Sequence, residues 1–232
     1  GDVYKRQIFP GNKDFQKPTI NGAVNLFDDK TGELNAVIDF HLVTKWKTAG
    51  DSLLAAKFLA RPSSQKILIL GAGTVAYSLR QAYGSLFPDA KFFIWNRTPR
   101  HAEKLANDFV NTQAVSDLEN AVSSADIISA ATMSTEPLIN GKWIKPGQHI
   151  DLIGAYRSDM READDNTLQK SRIFVDSFET TIDHIGELKI PVAQGVINKE
   201  DVIADFYDLK GFRRNSEDEI TLFKNGGGAH LD

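Results

Sequence analysis

An apolar run, Lys66-Ile67-Leu68-Ile69-Leu70, leads directly into Gly71-Ala72-Gly73-Thr74-Val75-Ala76. An amphipathic stretch follows, with Val75, Leu79, Ala82 and Leu86 on one face. This strand–turn–helix order points to an open α/β sheet with a phosphate-holding turn at the carboxyl end of a strand. Gly71 allows the tight bend. Gly73 leaves the backbone bare where a pyrophosphate approaches, and Ala76 takes the place of the third glycine, where helix and strand pack closely. The helix start adds unpaired N–H groups and the positive end of its dipole. Gly71, Ala72, Gly73, Thr74 and Val75 are therefore expected to bind a dinucleotide.

The next apolar run ends in Trp95-Asn96-Arg97-Thr98-Pro99. Sites for NAD(H) place a carboxylate about 20 residues beyond the glycines to hold the ribose 2′-hydroxyl. Here no carboxylate occurs until Glu103. A carboxylate would repel a 2′-phosphate, whereas a guanidinium binds it through charge-assisted hydrogen bonds. Asn96, Arg97 and Thr98 thus favour NADP(H) over NAD(H). The plainer alternative makes Arg97 a solvated loop cation and Thr98 the N-cap of a helix beginning at Pro99; both roles can hold together.

From residue 66 onward, strand and helix signals alternate. Strands are expected at about 66–70, 91–95, 113–115, 126–130, 149–153 and 172–176, with helices at about 74–87, 99–110, 116–124 and 160–169. Ser116-Asp117-Leu118-Glu119 has the form of a capping box. Six strands alternating with helices give the doubly wound Rossmann pattern. Residues 1–62 differ in kind. Val24–Phe27 and Ala36–Asp39 flank a glycine-containing loop and predict a β-hairpin, followed by a helix from about His41 to Ala60. A lone hairpin is marginal in water, so further strands are expected, from missing N-terminal sequence or from another subunit. The chain reads as α/β: a partial N-terminal α+β lobe (1–62), a Rossmann domain (63–200) and a C-terminal return to the first lobe (201–232). Both ends read as truncated, and residues 1–7 as a leader of doubtful origin.

Composition narrows the function. The chain's 232 residues, 41% of them hydrophobic, can bury a substantial core, while a net charge of −4 and no basic cluster argue against nucleic acid. No apolar run reaches the roughly 18 residues that span a bilayer, and no secretory leader is visible, so a cytoplasmic protein is expected. With no cysteine, thiolate nucleophiles, thiolate metal sites and disulfides are excluded. The five histidines lie far apart with no metal-binding spacing, so no metal site is expected; only His184 is kept as a pocket residue. No Gly-x-Ser-x-Gly elbow supports a serine hydrolase.

Short pieces along the chain add up to a family resemblance. They are Phe9-Pro10-Gly11-Asn12, Leu26-Phe27-Asp28, Lys47-Thr48-Ala49-Gly50-Asp51-Ser52, Gly71-Ala72-Gly73, Ala131-Thr132-Met133-Ser134-Thr135-Glu136-Pro137, Gly154-Ala155 and Thr221-Leu222-Phe223-Lys224. In order and spacing they resemble the ornithine cyclodeaminase/μ-crystallin family. The resemblance implies an N-terminal substrate and dimerisation lobe, a Rossmann domain and a homodimer.

Within that family, cyclodeaminases carry an Asp just after the Gly-x that ends the fifth strand. Here the slot holds Tyr156, which removes the general base of net hydrolytic deamination unless Asp159 is re-aimed to replace it. The Met160-Arg161-Glu162-Ala163-Asp164-Asp165 run resembles the reductase members. The implied activity is NADPH-dependent reduction of a cyclic 2-imino acid, 1-pyrroline-2-carboxylate or 1-piperideine-2-carboxylate. A non-catalytic NADP-dependent binding protein is the alternative, and a cyclodeaminase ranks third. The family's carboxylate-binding Arg is Lys47 here, a point charge rather than a two-pronged fork, and is the candidate substrate anchor with Thr48. Glu179 and His184 resemble positions near the substrate pocket. Ala131, Thr132, Met133, Ser134, Tyr156, Asn225 and Gly226 are expected on the cofactor.

Overall fold

The computed structural model describes residues 2–15, 17 and 20–228. Asp2–Ile8 (β1), Ile20–Phe27 (β2) and Leu34–Asp39 (β3) form an antiparallel sheet in the order β1-β2-β3. The expected hairpin is β2 and β3, with Val24 opposite Ile38. Asp28 closes its loop by accepting hydrogen bonds from the backbone of Lys30 and Thr31 at 2.9 and 2.8 Å, and Gly32 supplies the positive φ of 71°. The further strand expected from outside the visible segment is instead β1, paired with β2 along its whole length. Residues 2–7, within the segment read from sequence as a leader, are therefore part of the sheet; residue 1 lies outside the described residues.

The helix Phe40–Leu59 (α1) begins where the Asp39 carboxylate accepts from the Leu42 N–H at 2.8 Å. Its buried face is built of small residues, Ala49, Ser52, Ala55 and Ala56, with Leu59 at the end. Small side chains allow close approach, and α1 packs against Thr74–Leu86 (α2) and the large sheet.

That sheet holds Lys66–Leu70 (β4), Lys91–Trp95 (β5), Thr112–Ala114 (β6), Ile127–Ala130 (β7), His149–Leu152 (β8), Arg172–Val175 (β9), Val202–Ala204 (β10) and Thr221–Lys224 (β11). All pairings are parallel, in the order β10-β9-β11-β8-β7-β4-β5-β6. Ile67 and Ile69 face α1, α2 and Pro99–Asn107 (α3). Leu68 and Leu70 face the other way, toward Leu118–Ser124 (α4), Asp165–Lys170 (α5), and Gly186–Ala193, the last of these following the short helix Phe178–Thr181 (α6) and labelled α7. Burial on both faces explains why these strands read as continuous apolar runs.

All six expected strands are present, and β10 and β11 are additions. Thr221–Lys224 inserts between β8 and β9, with Lys224 opposite both Leu152 and Val175. The chain then crosses to α1, where the Thr48 hydroxyl donates to the Gly227 carbonyl at 3.2 Å.

Three local expectations change. Val75 is 38% exposed, because it lies in the first turn of α2, ahead of the face that meets the sheet. The cap of α4 is Asp117, which accepts from the Asn120 N–H at 3.0 Å, so this helix starts later than the Ser116 capping box implies. Helix α5 begins only after Asp164, which accepts from the Thr167 N–H at 2.8 Å. Residues 160–163 form instead a buried segment whose backbone is held from outside: the N–H groups of Glu162 and Ala163 donate to the Glu187 carboxylate.

Candidate functional site

Strand order reverses between β4 and β7, since the chain runs outward through β5 and β6 before crossing back to β7. Leu70 aligns with Trp95 on one side and with Ala130 on the other. Three loops therefore leave the sheet at one level: Gly71–Gly73, Asn96–Thr98 and Ala131–Ser134. Open α/β sheets bind ligands at such a switch point. The cavity between these loops has a volume of about 390 Å³, and all ten of those expected cofactor residues line it. Trp95, His101 and Leu138 line it as well. A larger cavity of about 470 Å³ lies at the β9–β10 edge, and none of the residues singled out from sequence reaches it. Its Arg172 is already paired with Glu219 at 2.6 Å.

The two glycines of the turn differ. Gly71 has φ 107°, and a Cβ there would lie 2.7 Å from the Ala131 carbonyl oxygen. Gly73 has an ordinary φ of −90°, and a Cβ would meet no atom within 4 Å. Gly71 is required by the fold, whereas Gly73 fronts open space at the start of α2, where an anion fits.

At the other end of the cavity, Arg97 is exposed and makes no hydrogen bond or ion pair with the described residues. Thr98 is the N-cap of α3, yet its hydroxyl makes no capping bond. Its carbonyl accepts from the Asn96 side-chain amide at 2.9 Å. The plainer reading of Thr98 thus holds for position alone. His101, which sequence reading left on the surface, sits one turn beyond Thr98 on α3 and so reaches the same end. The 3-residue spacing was its only signal.

The Ala131–Ser134 side is anchored from behind. Glu162 is fully buried and accepts from Thr132 N–H and Oγ1, both at 2.7 Å, and from Gly154 and Ala155 N–H at 2.7 and 3.2 Å. Burial, and next the nearby Glu187 carboxylate, raise its pKa to about 7. Lys224, also fully buried, donates to the Leu152 and Asn225 carbonyls at 2.8 and 2.7 Å, and burial lowers its pKa. Sequence reading passed over Glu162, Glu187 and Lys224 as chemistry, because charged residues are ordinarily exposed and pattern alone does not reveal a buried one.

Other expected residues lie outside the cavity lining. Thr74 and Val75 open α2 just beyond it. Tyr156 is 55% exposed. Asp159 is held by Arg157 in a two-point pair at 2.8 and 3.0 Å, on the surface. Lys47 is half-buried on α1, 3.4 Å from the Gly228 carbonyl, next to Thr48. Asn225 is buried and turned toward α1, donating to the Thr48 carbonyl and Ser52 Oγ at 3.1 and 3.0 Å, while its Oδ1 accepts from Gly227. Gly226 N–H donates to Asp176. The structure thus gathers Lys47, Thr48, Asn225 and the glycine run in one place. Glu179 and His184 are exposed on and after α6 and join neither group.

Comparison with known proteins agrees with this arrangement. The model of the ornithine cyclodeaminase/mu-crystallin family matches residues 5–232. The Delta(1)-pyrroline-2-carboxylate reductase of Paracoccus denitrificans is 51% identical over 97% of this chain and 74% of its own length. The ketimine reductase mu-crystallin of Rattus norvegicus is 34% identical over 97% of this chain and 70% of its own. Among solved structures, Thermococcus litoralis Delta(1)-pyrroline-2-carboxylate reductase in complex with NADH and L-proline superposes with a TM-score of 0.89. It shares 30% identity, over 97% of this chain and 72% of that one. An archaeal alanine dehydrogenase dimer with bound NAD gives the same score at 29% identity, over 99% and 75%. A family match across nearly the whole chain, a switch-point cavity and the glycine turn lead to one conclusion: this chain belongs to the ornithine cyclodeaminase/mu-crystallin family.

Proposed function

We propose that this chain is a cytoplasmic, NADPH-dependent ketimine reductase. It reduces 1-pyrroline-2-carboxylate or 1-piperideine-2-carboxylate to proline or pipecolate. The observation that carries this reading is the 51% identity to a Delta(1)-pyrroline-2-carboxylate reductase along 97% of the chain. It is an oxidoreductase acting on a carbon–nitrogen bond.

The residues present fit a dinucleotide. Open space fronts Gly73, unpaired N–H groups begin α2, and a guanidinium with no hydrogen-bond or ion-pair partner among the described residues stands at the ribose end. Gly71–Gly73 would cradle the pyrophosphate, and Arg97 with Asn96 and Thr98 would take the 2′-phosphate. Ala131–Ser134 would border the nicotinamide ribose, with Tyr156 beside it and Asn225 and Gly226 closing from the C-terminal segment. The solved relatives named above hold NADH or NAD, so the choice of NADPH rests on Arg97 and the missing carboxylate.

A bound reduced nicotinamide would supply the hydride to the imine carbon. This chain's residues bind and orient. Lys47, supported by Thr48, holds the substrate carboxylate, with Glu179 and His184 as outer pocket candidates. The ring nitrogen takes up a proton, and a substrate that arrives already protonated needs no dedicated acid. Position and orientation then account for most of the rate. Tyr156 at the cyclodeaminase slot, together with an Asp159 committed to Arg157, disfavours hydrolytic deamination.

The working unit is a homodimer in this reading. Strand β3 is exposed along nearly its whole length, and Leu34, Val37, Leu42 and Trp46 are large apolar residues left open on β3 and α1. Residues 1–62 would supply this lobe, 63–200 the Rossmann domain and 201–232 the return strand and loop.

The test is oxidation of NADPH in the presence of 1-pyrroline-2-carboxylate, with NADH in parallel and sedimentation for the dimer. Turnover that prefers NADPH is expected. NADPH binding without turnover of this imine or, in a parallel assay, of 1-piperideine-2-carboxylate would replace the reductase with a binding protein.

A further inference from the structure

Glu162 accepts four hydrogen bonds, and their donors have a pattern. One oxygen takes Thr132 N–H and Oγ1, and the other takes the Gly154 and Ala155 N–H groups. Those donors belong to two segments, the loop after β7 and the end of β8, whose backbones nearly touch. A Cβ on Gly154 would run into the Thr132 backbone. No hydrogen bond joins Glu162 to Gly71–Gly73 or to Asn96–Thr98 among the described residues. The carboxylate therefore governs one half of the cleft.

We propose that Glu162 is a positioning residue that clamps the loop after β7 to the end of β8, so that Thr132–Ser134 present the correct edge to the nicotinamide half of the cofactor. The inference rests on the dinucleotide reading above.

Four donors need both carboxylate oxygens, and a neutral carboxyl turns part of that acceptor capacity into a donor. The charges around it are few. Glu187 from α7 faces it with like charge, and Lys224 from β11 with opposite charge. Arg161, next in sequence, is paired with Asp165, and Asp176 and Asp151 act on Lys224. With its pKa raised to about 7, Glu162 gains protons across the neutral range, and the clamp loosens as pH falls.

The experiment compares two ligands, NADPH and adenosine 2′-monophosphate, on the wild-type chain and on Glu162→Gln. The second ligand shares the adenine ribose and 2′-phosphate but lacks the nicotinamide half. In the variant, NADPH should bind about tenfold or more weakly, while adenosine 2′-monophosphate stays within about twofold because its contacts are separate. Equal weakening of both, or of neither, overturns the inference. The wild-type chain gives an independent answer even if the variant fails to fold. The ratio of NADPH to adenosine 2′-monophosphate affinity should fall from pH 8 to about pH 6, the titration of the shared 2′-phosphate cancelling. A flat ratio overturns the inference too. Absence of NADPH binding to the wild-type chain at any pH sinks the dinucleotide reading itself, and the clamp with it.

Discussion

Ser52 donates its hydroxyl to Asp151 Oδ1 at 2.9 Å, joining α1 to the middle of the large sheet through two fully buried side chains. The same carboxylate accepts from Tyr83 of α2 at 3.0 Å and from Ser129 of β7 at 2.6 Å. Asn225 in turn donates to Ser52 Oγ, so the C-terminal loop is tied into the network. Helix α1 carries Lys47 and Thr48, and this network fixes where they stand relative to the dinucleotide cleft. Ser52→Ala leaves a charged acceptor and the Asn225 amide each short of a partner. It should cost about 1–2 kcal/mol of stability, read from urea unfolding as a lower midpoint with an unchanged slope. A loss below about 0.5 kcal/mol, the usual surface value, would mean that the network does not hold α1.

The two turn glycines should separate fold from binding. Gly71→Ala places a methyl group against the Ala131 carbonyl at a φ of 107° and should destabilise the apo chain by about 1–3 kcal/mol. Gly73→Ala meets no protein atom, and its φ suits any residue. That variant should unfold like the wild type yet bind both NADPH and NADH about tenfold more weakly or worse, since the methyl group occupies the space of the pyrophosphate. Undiminished binding by Gly73→Ala would move the pyrophosphate elsewhere.

This contrast also shows what a sequence can and cannot carry. The strand β4, the turn and α2 were legible because an apolar run, two glycines and a helical period agree at one place. The hairpin of β2 and β3 was legible for the same reason. Strand β11 was not read as a strand: Thr221–Lys224 is four residues long, and its place between β8 and β9 depends on partners seventy and fifty residues away. The Lys47–Ser52 motif was visible as a pattern, but the pattern did not show that Ser52 ties α1 to Asp151 of β8. Glu162 lay inside a run noticed for its resemblance alone. A Glu between Arg161 and Ala163 reads as a solvated helix start, and only the fold reveals that four donors converge on it.

In the proposed reading, Arg97 is the residue that selects NADPH. It has no hydrogen-bond or ion-pair partner among the described residues, so Arg97→Ala should leave the unfolding midpoint unchanged. A charge-assisted contact to a 2′-phosphate is worth about 1.5–3 kcal/mol, so NADPH should bind roughly tenfold to a hundredfold more weakly while NADH changes little. Equal losses for the two cofactors would remove Arg97 from the 2′-phosphate.

Lys47 tests the substrate side. Its ammonium lies 3.4 Å from the Gly228 carbonyl, a long contact that a substrate carboxylate can replace. Lys47→Ala should raise the KM for the imino acid about tenfold or more with the cofactor Kd nearly unchanged, and Lys47→Arg should restore much of the loss through its fork. A matching shift in cofactor Kd would place Lys47 on the dinucleotide instead.

Two buried groups should make stability depend on pH in opposite senses. Burial, and then the positive charge of Arg214, lower the His149 pKa from 6.5 to about 3. The unfolded chain therefore takes up this proton more readily than the folded one, and the contribution of neutral His149 is present above pH 6.5 and lost as pH falls toward 3. Glu162 runs the other way. Its pKa rises from 4.5 to about 7, so the folded chain holds the proton more readily, and its contribution is present below pH 4.5 and lost as pH rises through 7. Between pH 4.5 and 6.5 the slopes of these two groups oppose each other, while Asp151 and Glu187, also raised by burial, act in the Glu162 sense in all three proteins. Relative to the wild type, His149→Asn should make stability fall more steeply as pH rises, and Glu162→Gln should shift the slope the opposite way, each by up to about 1.4 kcal/mol per unit. Urea unfolding of the three apo proteins from pH 5 to 7.5 decides the matter, because only the slopes are compared. Two variants with parallel slopes would mean that neither group titrates as its burial requires.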